Sequence, residues 1–444
     1  MVKCLNKPDH LSWVDEYMRN VKEYLSVRLE DNLLIKRPNI IHKLNPSGAV
    51  ILNRLLNGLS IYKLFKEIPD HSRQTQIIEF LTAIRAAVDG IDLSVTSNTA
   101  VETKLFSGPL HKLPVLSEIA ITYACNLKCS FCYAGCGQCQ SNTSDTMTEN
   151  QIKRVLNIIR KDALVPSVSF TGGEPATVRF LQNLIQYATN LGMRVNLITN
   201  GTLIDSKLAK QLVKSGLKSV QVSLEGSSAD IHEKLTQVSG SFQKTCDGIR
   251  ALQETGIHVH TNTTLTTINA ETALEFPHFI KKQFGLQRFS MNLMIPAGSG
   301  IANENLWLSY SNAGNLIDRI KKVSDSAGVD FMWYSPVPLC IFNTIANGLG
   351  AKGCSACDGL LSVAPNGDVL PCSSYPQPVG NLLKTRFQEI WNDNCTTFFR
   401  NKSEAPSQCF SCDNFALCNG ACPLYWKNCG TAELSKHSQR LQEK

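Results

Sequence analysis

Three cysteines lie close together in this chain, separated by three and then by two residues. They are Cys125, Cys129 and Cys132, in the run Ile121-Thr-Tyr-Ala-Cys-Asn-Leu-Lys-Cys-Ser-Phe-Cys-Tyr133. A metal site with four cysteine ligands is closed, whereas a site with an open position can bind and transform another molecule. Three thiolates on one iron-sulfur cluster leave its fourth iron without a protein ligand. The spacing therefore predicts a cluster to which a substrate binds directly.

The remaining cysteines form a second region that also predicts metal. Of 17 cysteines, five lie between residues 125 and 139 and ten between residues 340 and 429. An odd number, with no export signal at the N-terminus, argues against a disulfide scaffold. The second region contains the spaced set Cys409, Cys412, Cys418 and Cys422, preceded by Gly367-Asp-Val-Leu-Pro-Cys372 and followed by Cys429.

These two patterns resemble known iron-sulfur signatures. The three-cysteine run resembles that of the radical S-adenosylmethionine (SAM) enzymes, in which the amino and carboxylate groups of SAM chelate the unique iron. One electron then cleaves the sulfonium to a 5'-deoxyadenosyl radical. The C-terminal set is similar to the SPASM extension of those enzymes, which holds two auxiliary clusters. The resemblance implies SAM and three 4Fe-4S clusters as cofactors.

The resemblance also implies which cysteines bind each cluster. Cys125, Cys129 and Cys132 would hold the radical SAM cluster. The auxiliary clusters, with four ligands each, would be closed and would relay electrons or anchor the fold. Cys340 is an alternative to Cys354 or Cys357. The implied auxiliary ligands are Cys354, Cys357, Cys372 and Cys422 for the first cluster and Cys409, Cys412, Cys418 and Cys429 for the second.

Zinc is the alternative for the C-terminal cysteines, because paired Cys-x-x-Cys units also serve zinc ribbons. Cys136 and Cys139 form a further pair just past the three-cysteine run. We expect these two to be unliganded loop thiols, with a redox or substrate-contacting role as the alternative. Cys4, Cys246 and Cys395 are expected to be packed or on the surface.

From Glu118 onward, short β-type runs alternate with amphipathic helical stretches. Such alternation predicts a parallel sheet in an α/β fold, and six units predict a partial (β/α)6 TIM-type barrel over residues 112–330. A cysteine-rich iron-sulfur domain is expected over residues 335–444. The predicted strands are 118–122, 168–171, 194–199, 219–223, 258–264 and 288–293, and the predicted helices are 150–160, 178–191, 207–214 and 243–254.

Chemistry in such barrels takes place at the carboxyl ends of the strands. The cysteine run follows the first predicted strand, Phe170-Thr-Gly-Gly-Glu-Pro175 the second, Thr199-Asn-Gly201 the third and Ser223-Leu-Glu-Gly226 the fourth. Glycines let a ligand approach the backbone, and a glutamate accepts hydrogen bonds from an ammonium such as that of methionine. Hydroxyl, carboxylate and amide groups suit ribose, and aromatic rings suit adenine. The predicted SAM contacts are Phe131, Tyr133, Gly172, Gly173, Glu174, Asn200, Ser223 and Glu225.

One segment departs from the family pattern. Radical SAM enzymes often carry His-Asp and then Arg after strand four, where the arginine can pair with the methionine carboxylate. Here the segment is His232-Glu-Lys-Leu-Thr-Gln237 and has no arginine. Lys234 could supply a point charge but not the bidentate fork of arginine, so no residue is assigned to that carboxylate.

Residues 1–95 predict a separate, winged-helix-like α+β domain. Alternating apolar and polar residues predict three strands near 25–29, 33–35 and 40–44, and three helices follow. Asn45-Pro46 is a good N-cap and first-turn pair, and Ser60 is a second candidate cap. With the run Leu44-Asn-Pro-Ser-Gly-Ala49, this order resembles the PqqD-like domain, which captures the leader of a ribosomal precursor peptide at a sheet edge. A packing module without a ligand is the alternative.

The composition is that of a soluble globular protein, with 43% hydrophobic and 18% charged residues. No run approaches the roughly 20 apolar residues that cross a bilayer, and the N-terminus lacks signal-peptide features. We therefore expect a cytoplasmic protein with no membrane contact. A net charge of +7 without a dense basic block predicts no nucleic-acid partner.

Together these features predict an enzyme whose radical abstracts a hydrogen from a precursor peptide, with a thioether or carbon-carbon crosslink as the expected product. The expected partners are the precursor with its leader and an electron donor such as flavodoxin or ferredoxin. No catalytic acid or base is assigned.

Three other functions remain open. A sulfatase-maturase-like enzyme is one, although Ser373 stands where that family has a proton-accepting aspartate after the cysteine. A small-molecule radical SAM oxidase is the second, and it would need no leader peptide. A non-enzymatic, zinc-binding peptide adaptor is the third.

Overall fold

A computed structural model describes residues 11–37, 40–90, 111–136 and 146–434. The chain divides into two compact units, Met1–Val115 and Leu116–Lys444. The predicted end of the first domain at residue 95 lies outside the described residues, as do Cys4 and Cys139. The predicted boundary between the barrel and the iron-sulfur domain lies inside the second unit.

The first unit is an α+β structure, as predicted. Three antiparallel strands form one sheet in the order β1-β2-β3, and three helices follow them. An additional helix, α1, precedes the sheet and has no counterpart among the predicted elements. The elements are α1 (Ser12–Val21), β1 (Leu25–Arg28), β2 (Leu33–Lys36), β3 (Ile40–Lys43), α2 (Pro46–Leu56), α3 (Ile61–Glu67) and α4 (His71–Asp89).

Side-chain caps determine where these helices begin. The Oδ1 of Asn45 accepts a 2.6 Å hydrogen bond from the N–H of Gly48, and the Oγ of Ser60 accepts one of 3.3 Å from Tyr62. Both predicted caps are confirmed. Asp15 of α1 accepts hydrogen bonds from the Ser60 hydroxyl and the N–H of Ile61, which holds α1 against the start of α3.

A buried ion pair in the first unit joins the turn after β1 to residues 112–114. Two nitrogens of Arg28 bind the Asp31 carboxylate at 2.9 and 2.8 Å, and a third donates to the carbonyl oxygen of Pro114 at 2.6 Å. The Asp31 carboxylate also accepts a hydrogen bond from the N–H of Lys112. Since a buried charge is tolerated only when it is paired and hydrogen-bonded, these contacts fix residues 112–114 against the turn after β1.

The second unit is built on a ten-stranded sheet in the order β10-β9-β8-β7-β6-β5-β4-β11-β12-β13. Strands β4 to β10 are all parallel, which confirms the partial TIM-type barrel. All six predicted strands are present, and β10 to β13 are additional. The strands are β4 (Leu116–Thr122), β5 (Ser167–Gly172), β6 (Arg194–Thr199), β7 (Ser219–Ser223), β8 (His258–Leu265), β9 (Arg288–Leu293), β10 (Asp330–Trp333), β11 (Leu360–Val363), β12 (Asp368–Leu370) and β13 (Gly380–Asn381).

Helices connect the parallel strands, and the four predicted ones are present within a few residues of their predicted ends. Helix α8 and those from α10 onward were not predicted. The helices are α5 (Glu149–Lys161), α6 (Leu181–Asn190), α7 (Ser206–Lys214), α8 (Ala229–Thr236), α9 (Ser241–Gln253), α10 (Phe276–Phe284), α11 (Tyr310–Ala327), α12 (Phe387–Asn392), α13 (Asn394–Arg400), α14 (Phe415–Cys418) and α15 (Pro423–Cys429). In the described part of the chain, no helix has the length and apolar character required to cross a membrane.

The barrel strands have one apolar and one polar face. Apolar residues aligned across four strands are fully buried, namely Ile119, Phe170, Leu197 and Val220. Helices cover the outer face of such a barrel with apolar contacts, so the opposite face is the inner one. A row of polar side chains crosses that inner face in register, formed by Ser362, Glu118, Ser169, Asn196 and Ser219.

Candidate active site

The three-cysteine loop follows β4 and is held from one side by the end of α8. The N–H of Lys128 donates to the carbonyl oxygen of Thr236 at 3.1 Å, and the N–H of Ser130 donates to that of Leu235 at 3.0 Å. Residues 128 and 130 flank Cys129. These two hydrogen bonds therefore fix the middle of the loop.

The segment after β9 holds the same loop from the other side. The N–H of Ser299 donates to the carbonyl oxygen of Cys132 at 2.9 Å, and the amide of Asn303 donates to that of Ser130 at 2.9 Å. Gly298 makes this approach possible, since a Cβ at that position would lie 2.4 Å from the Cys132 carbonyl oxygen, and its φ is +53°. Only glycine fits such a position without displacing the loop.

Hydrogen-bond donors point at the sulfur of Cys125. The N–H of Leu127 lies 3.4 Å from Sγ, and the Nδ2 of Asn200 lies 3.9 Å from it. Burial raises the pKa of the Cys125 thiol, whereas these two donors lower it. Because a metal-bound cysteine is a thiolate, donors directed at the sulfur favour the ligated form. The loop thus fits a site in which Cys125 is charged.

Cys129 and Cys132 complete the set. Burial raises the pKa of the Cys129 thiol, and the thiols of Cys132 and Cys125, which lie within electrostatic range, raise it further. Cys136 is buried, and its side chain hydrogen-bonds to the Cys132 sulfur. In the described structure, Cys136 is therefore a hydrogen-bond partner of the Cys132 sulfur. The rest of the predicted pair, Cys139, lies outside the described residues.

Gly172 and Gly173 join the end of β5 to the cysteine loop. A Cβ on Gly172 would lie 2.1 Å from the carbonyl oxygen of Thr122, and one on Gly173 would lie 2.3 Å from that of Ala124. The N–H groups of Gly173 and Glu174 donate to these same two oxygens. The close approach that the sequence predicted for a ligand is made here to the protein's own backbone.

Glu174 is fully buried and connects the ends of β5 and β6. Its carboxylate accepts hydrogen bonds from the Thr199 hydroxyl at 2.6 Å, from the N–H of Asn200 at 2.7 Å and from the N–H of Ala176 at 2.9 Å. Asn200 in turn donates to Asn126 in the cysteine loop at 2.9 Å. Glu174 and Asn200 thus lie in one network with the loop that carries the cysteines.

Glu225 is the buried acid at the end of β7. Its carboxylate accepts a 2.8 Å hydrogen bond from the N–H of Thr264, and its main-chain N–H donates to Nδ1 of His232 at 3.1 Å. Burial raises the pKa of Glu225 to about 8. The carboxylate also lies within electrostatic range of Cys129, so it faces the cysteine loop. Ser223 is partly exposed at the same strand end.

The other predicted SAM contacts have different surroundings. Phe131 is partly exposed in the cysteine loop. Tyr133 lines a small cavity together with Glu118, Tyr123 and Ser373. Lys234 is exposed on α8. Of the eight predicted SAM contacts, Glu174 and Asn200 are thus joined to the cysteine loop by side-chain hydrogen bonds, and Gly172 and Gly173 approach its start through the backbone.

Glu118 is a candidate functional residue that the sequence reasoning missed. It lies in the polar row on β4, and its carboxylate accepts a 2.6 Å hydrogen bond from the Ser362 hydroxyl and others from the hydroxyl and N–H of Ser373. Burial raises the pKa of Glu118. The only signal in the sequence was a charged residue inside an otherwise uncharged β-type run.

Four cysteines of the C-terminal region gather at one place. Cys354, Cys372 and Cys422 interact electrostatically with one another, and Cys357 interacts with Cys354. A small cavity lies beside Cys354. Two cations adjoin this group and stabilise thiolate charge, since Lys402 and Arg400 oppose the rise in thiol pKa that burial causes.

A second group of cysteines includes Cys340, which was an alternative ligand for the first auxiliary cluster. Cys409, Cys412 and Cys418 interact electrostatically, and Cys340 is part of the same group. Cys340 is thus grouped with cysteines other than Cys354 and Cys357, for which it was the alternative ligand. Cys429 lies instead near Cys422, and its thiol hydrogen-bonds with the side chain of Tyr425.

Among the described residues, no three or more His, Cys, Asp or Glu side chains are close enough to hold a single metal ion. Thiolates around a 4Fe-4S cluster are further apart than those that share one ion, since each binds a different iron. In the described part of the chain, the cysteine groups are therefore not drawn together as the ligands of one zinc ion would be.

Comparison with known protein families identifies the chain. Residues 119–282 match the Radical SAM superfamily, and residues 354–413 match SPASM, an iron-sulfur cluster-binding domain. The chain is a radical SAM enzyme with a SPASM domain. Its cofactors are therefore SAM and 4Fe-4S clusters, and the non-enzymatic zinc adaptor is set aside.

Two relatives of this radical SAM enzyme differ in their named activities. An AdoMet-dependent heme synthase of Methanosarcina barkeri is 25% identical over 323 residues, which cover 69% of this chain and 90% of that protein. The mycofactocin maturase MftC of Mycobacterium tuberculosis is 25% identical over 320 residues, which cover 70% of this chain and 78% of MftC.

Solved structures show the same fold over more of the chain. Streptococcus suis SuiB bound to SAM superposes with a TM-score of 0.69 at 20% identity, covering 91% of this chain and 97% of SuiB. SuiB bound to its precursor peptide SuiA gives a TM-score of 0.67 at 20% identity, covering 90% of this chain and 95% of SuiB.

Proposed function

We propose that this radical SAM enzyme modifies a ribosomally made precursor peptide and forms a thioether or carbon-carbon crosslink. The observation that carries the proposal is the exposed edge of the three-stranded sheet in the first unit. Within the described residues, β3 pairs only with β2, and Ile40 at its start is 50% exposed. An unpaired strand edge with an apolar residue is the surface to which an extended peptide adds as a further strand.

The relatives support a peptide substrate without deciding it. MftC is named a maturase, and SuiB was solved with a precursor peptide. The SuiB fold covers about nine-tenths of this chain, and the MftC and heme-synthase sequence alignments cover 70% and 69% of it. The heme synthases favour a second candidate function, oxidation of a small molecule, which would need no leader-binding edge.

The cofactor ligands are part of the proposal. Cys125, Cys129 and Cys132 would hold the radical SAM cluster, and Glu174, Asn200 and Glu225 would position SAM beside it, together with Phe131, Tyr133, Gly172, Gly173 and Ser223. When bound, SAM supplies a 5'-deoxyadenosyl radical at this end of the barrel. Flavodoxin or ferredoxin would supply the electron.

The first auxiliary cluster would be held by Cys354, Cys357, Cys372 and Cys422. The buried Lys402 and the partly exposed Arg400 support this assignment, because four thiolates carry more negative charge than the iron-sulfur core balances. Closed by four ligands, this cluster would receive or relay electrons.

Glu118 is the residue we propose as proton acceptor. Formation of a crosslink removes two hydrogens from the peptide: one leaves as an atom to the radical, and the other leaves as a proton while its electron passes to an iron-sulfur cluster. The Glu118 carboxylate lies on the inner face of the barrel and lines the cavity beside Tyr133 and Ser373. Sulfatase maturases carry an aspartate at the position of Ser373, and here Ser373 hydrogen-bonds to Glu118 instead.

The experiment that tests the function uses the full chain, reconstituted anaerobically with iron and sulfide. It is incubated with SAM, a reductant and candidate precursor peptides from short reading frames near its gene, and the mass of each peptide is measured by mass spectrometry. The proposal predicts loss of two hydrogens per event in the core of the peptide, dependent on SAM. Turnover of a porphyrin with no change in the peptide would establish the second candidate function instead.

A further inference from the structure

The turn that carries Cys340 is fixed against the cysteine-rich segment. The N–H of Leu339 donates to the sulfur of Cys418 at 3.4 Å. The N–H groups of Ile341 and Phe342 both donate to the carbonyl oxygen of Pro338, which closes a tight turn around Cys340. The position of Cys340 is therefore set by contacts of its neighbours on both sides.

The same turn is anchored to helix α11. A Cβ on Gly314 would lie 2.8 Å from the Cβ of Phe342, so the helix backbone approaches that side chain directly. Thr344, two residues further on, is fully buried. Although Cys340 itself is exposed, the segment that presents it is packed.

The hydrogen bond from Leu339 to the Cys418 sulfur brings the neighbouring residue, Cys340, beside that cysteine, and the thiols of Cys412 and Cys409 lie within electrostatic range. Cys340 interacts with Cys418 and Cys412, and Cys409 interacts with Cys418, Cys340 and Cys412. A backbone N–H directed at Cys418 adds a donor of the kind that stabilises a metal-bound thiolate. These four residues are thus one candidate ligand group.

Cys429, which the spacing assigns to this group, lies elsewhere. It ends helix α15, seven residues after Cys422, which corresponds to about 10 Å along a helix axis. Its thiol meets the side chain of Tyr425, whose hydroxyl donates to Glu433 at 2.6 Å. The one cysteine for which an electrostatic effect of Cys429 is resolved in the described residues is Cys422, a member of the first group.

We propose that Cys340, rather than Cys429, is the fourth ligand of the second auxiliary 4Fe-4S cluster. The ligand set is then Cys340, Cys409, Cys412 and Cys418. The assignment rests on the family and on the geometry of this chain, and it does not depend on the identity of the substrate.

The first test uses unaltered protein and therefore does not depend on a variant that folds. The reconstituted full chain, with iron and sulfide measured, is treated with iodoacetamide before and after a chelator removes the iron, and peptides are mapped by mass spectrometry. Cys340 should be protected while iron is bound and alkylated after its removal. Cys395, also exposed, is the control and should react in both states. Rapid alkylation of Cys340 in protein with its full iron content would overturn the assignment.

The second test compares Cys340→Ala, Cys429→Ala and Cys395→Ala. Cys340→Ala should lose about four irons per chain and the electron paramagnetic resonance signal of one reduced cluster. Cys429→Ala and Cys395→Ala should keep the full iron content and that signal. A loss confined to Cys429→Ala would return the fourth position to Cys429. Neither measurement depends on activity.

Discussion

The main-chain N–H of Asn200 donates a 2.7 Å hydrogen bond to the carboxylate of Glu174 and thereby ties the end of β6 to the end of β5. Through the side chain of Asn200 the same network reaches Asn126, next to Cys125. The proposed SAM site and the cysteine loop are therefore positioned by shared contacts, and a change at Glu174 should affect both.

Replacing Glu174 by Ala should destabilise the fold and abolish SAM binding. Three buried donors would lose their acceptor, and each unmet buried donor costs about 1–3 kcal/mol. Thermal unfolding and equilibrium dialysis with SAM measure the two effects. Glu67→Ala, which removes only an exposed ion pair with Arg54, should change the free energy of unfolding by less than about 1 kcal/mol. Unchanged SAM affinity in Glu174→Ala would show that the site lies elsewhere.

Replacing Gly298 by Ala should displace the cysteine loop, because the new Cβ would meet the carbonyl oxygens of Cys132 and Tyr133. We expect loss of about four irons per chain after reconstitution. Gly256→Ala is the matched control: it also has a positive φ, but nothing lies within 4 Å of its Cβ. Its cost should be only the backbone penalty of about 1–2 kcal/mol, with iron retained. Equal iron in both variants would contradict this account of the loop.

Replacing Ile40 by Lys should weaken binding of the leader peptide at the β3 edge, since a charged side chain there disfavours the addition of an apolar strand. Val50→Lys is the control, because Val50 is 48% exposed on helix α2, close to the 50% of Ile40. Fluorescence anisotropy with a labelled candidate leader, taken from a short reading frame near the gene, measures both. Equal affinities would argue against the β3 edge.

Replacing Glu118 by Gln should uncouple SAM cleavage from peptide modification. Glutamine keeps the shape and an acceptor for Ser362 but cannot take up a proton, and a general base contributes about 10²–10⁴-fold in rate. We expect 5'-deoxyadenosine to form in the presence of peptide while the crosslinked product falls by at least about 10². Adding Ser373→Asp to this variant should restore part of the product. Product formed by Glu118→Gln at the unaltered rate would exclude the role.

Local sequence signals predicted much of the barrel and of the first unit. The caps at Asn45 and Ser60 depend on residues two or three positions away. The parallel strands have runs of buried residues long enough to be recognised without knowledge of their partners. Helix α1 was missed because it is held by a contact of Asp15 with Ser60 and Ile61, far along the chain.

Contacts between distant residues account for the rest. Ser362 pairs with Glu118 across 244 positions, and the N–H of Leu339 reaches Cys418 across 79. Neither periodicity nor spacing reports such a pairing. The family pattern favoured Cys429 for the second auxiliary cluster, and only the folded chain brought Cys340 beside Cys418.

The central claim is that Cys125, Cys129 and Cys132 hold a cluster that cleaves SAM. With reductant and SAM, the reconstituted full chain should produce 5'-deoxyadenosine, measured by liquid chromatography. The variant with all three cysteines changed to Ala should produce none, whereas Cys246→Ala, buried in α9, should produce as much as the unaltered chain. Undiminished 5'-deoxyadenosine from the triple variant would contradict the claim.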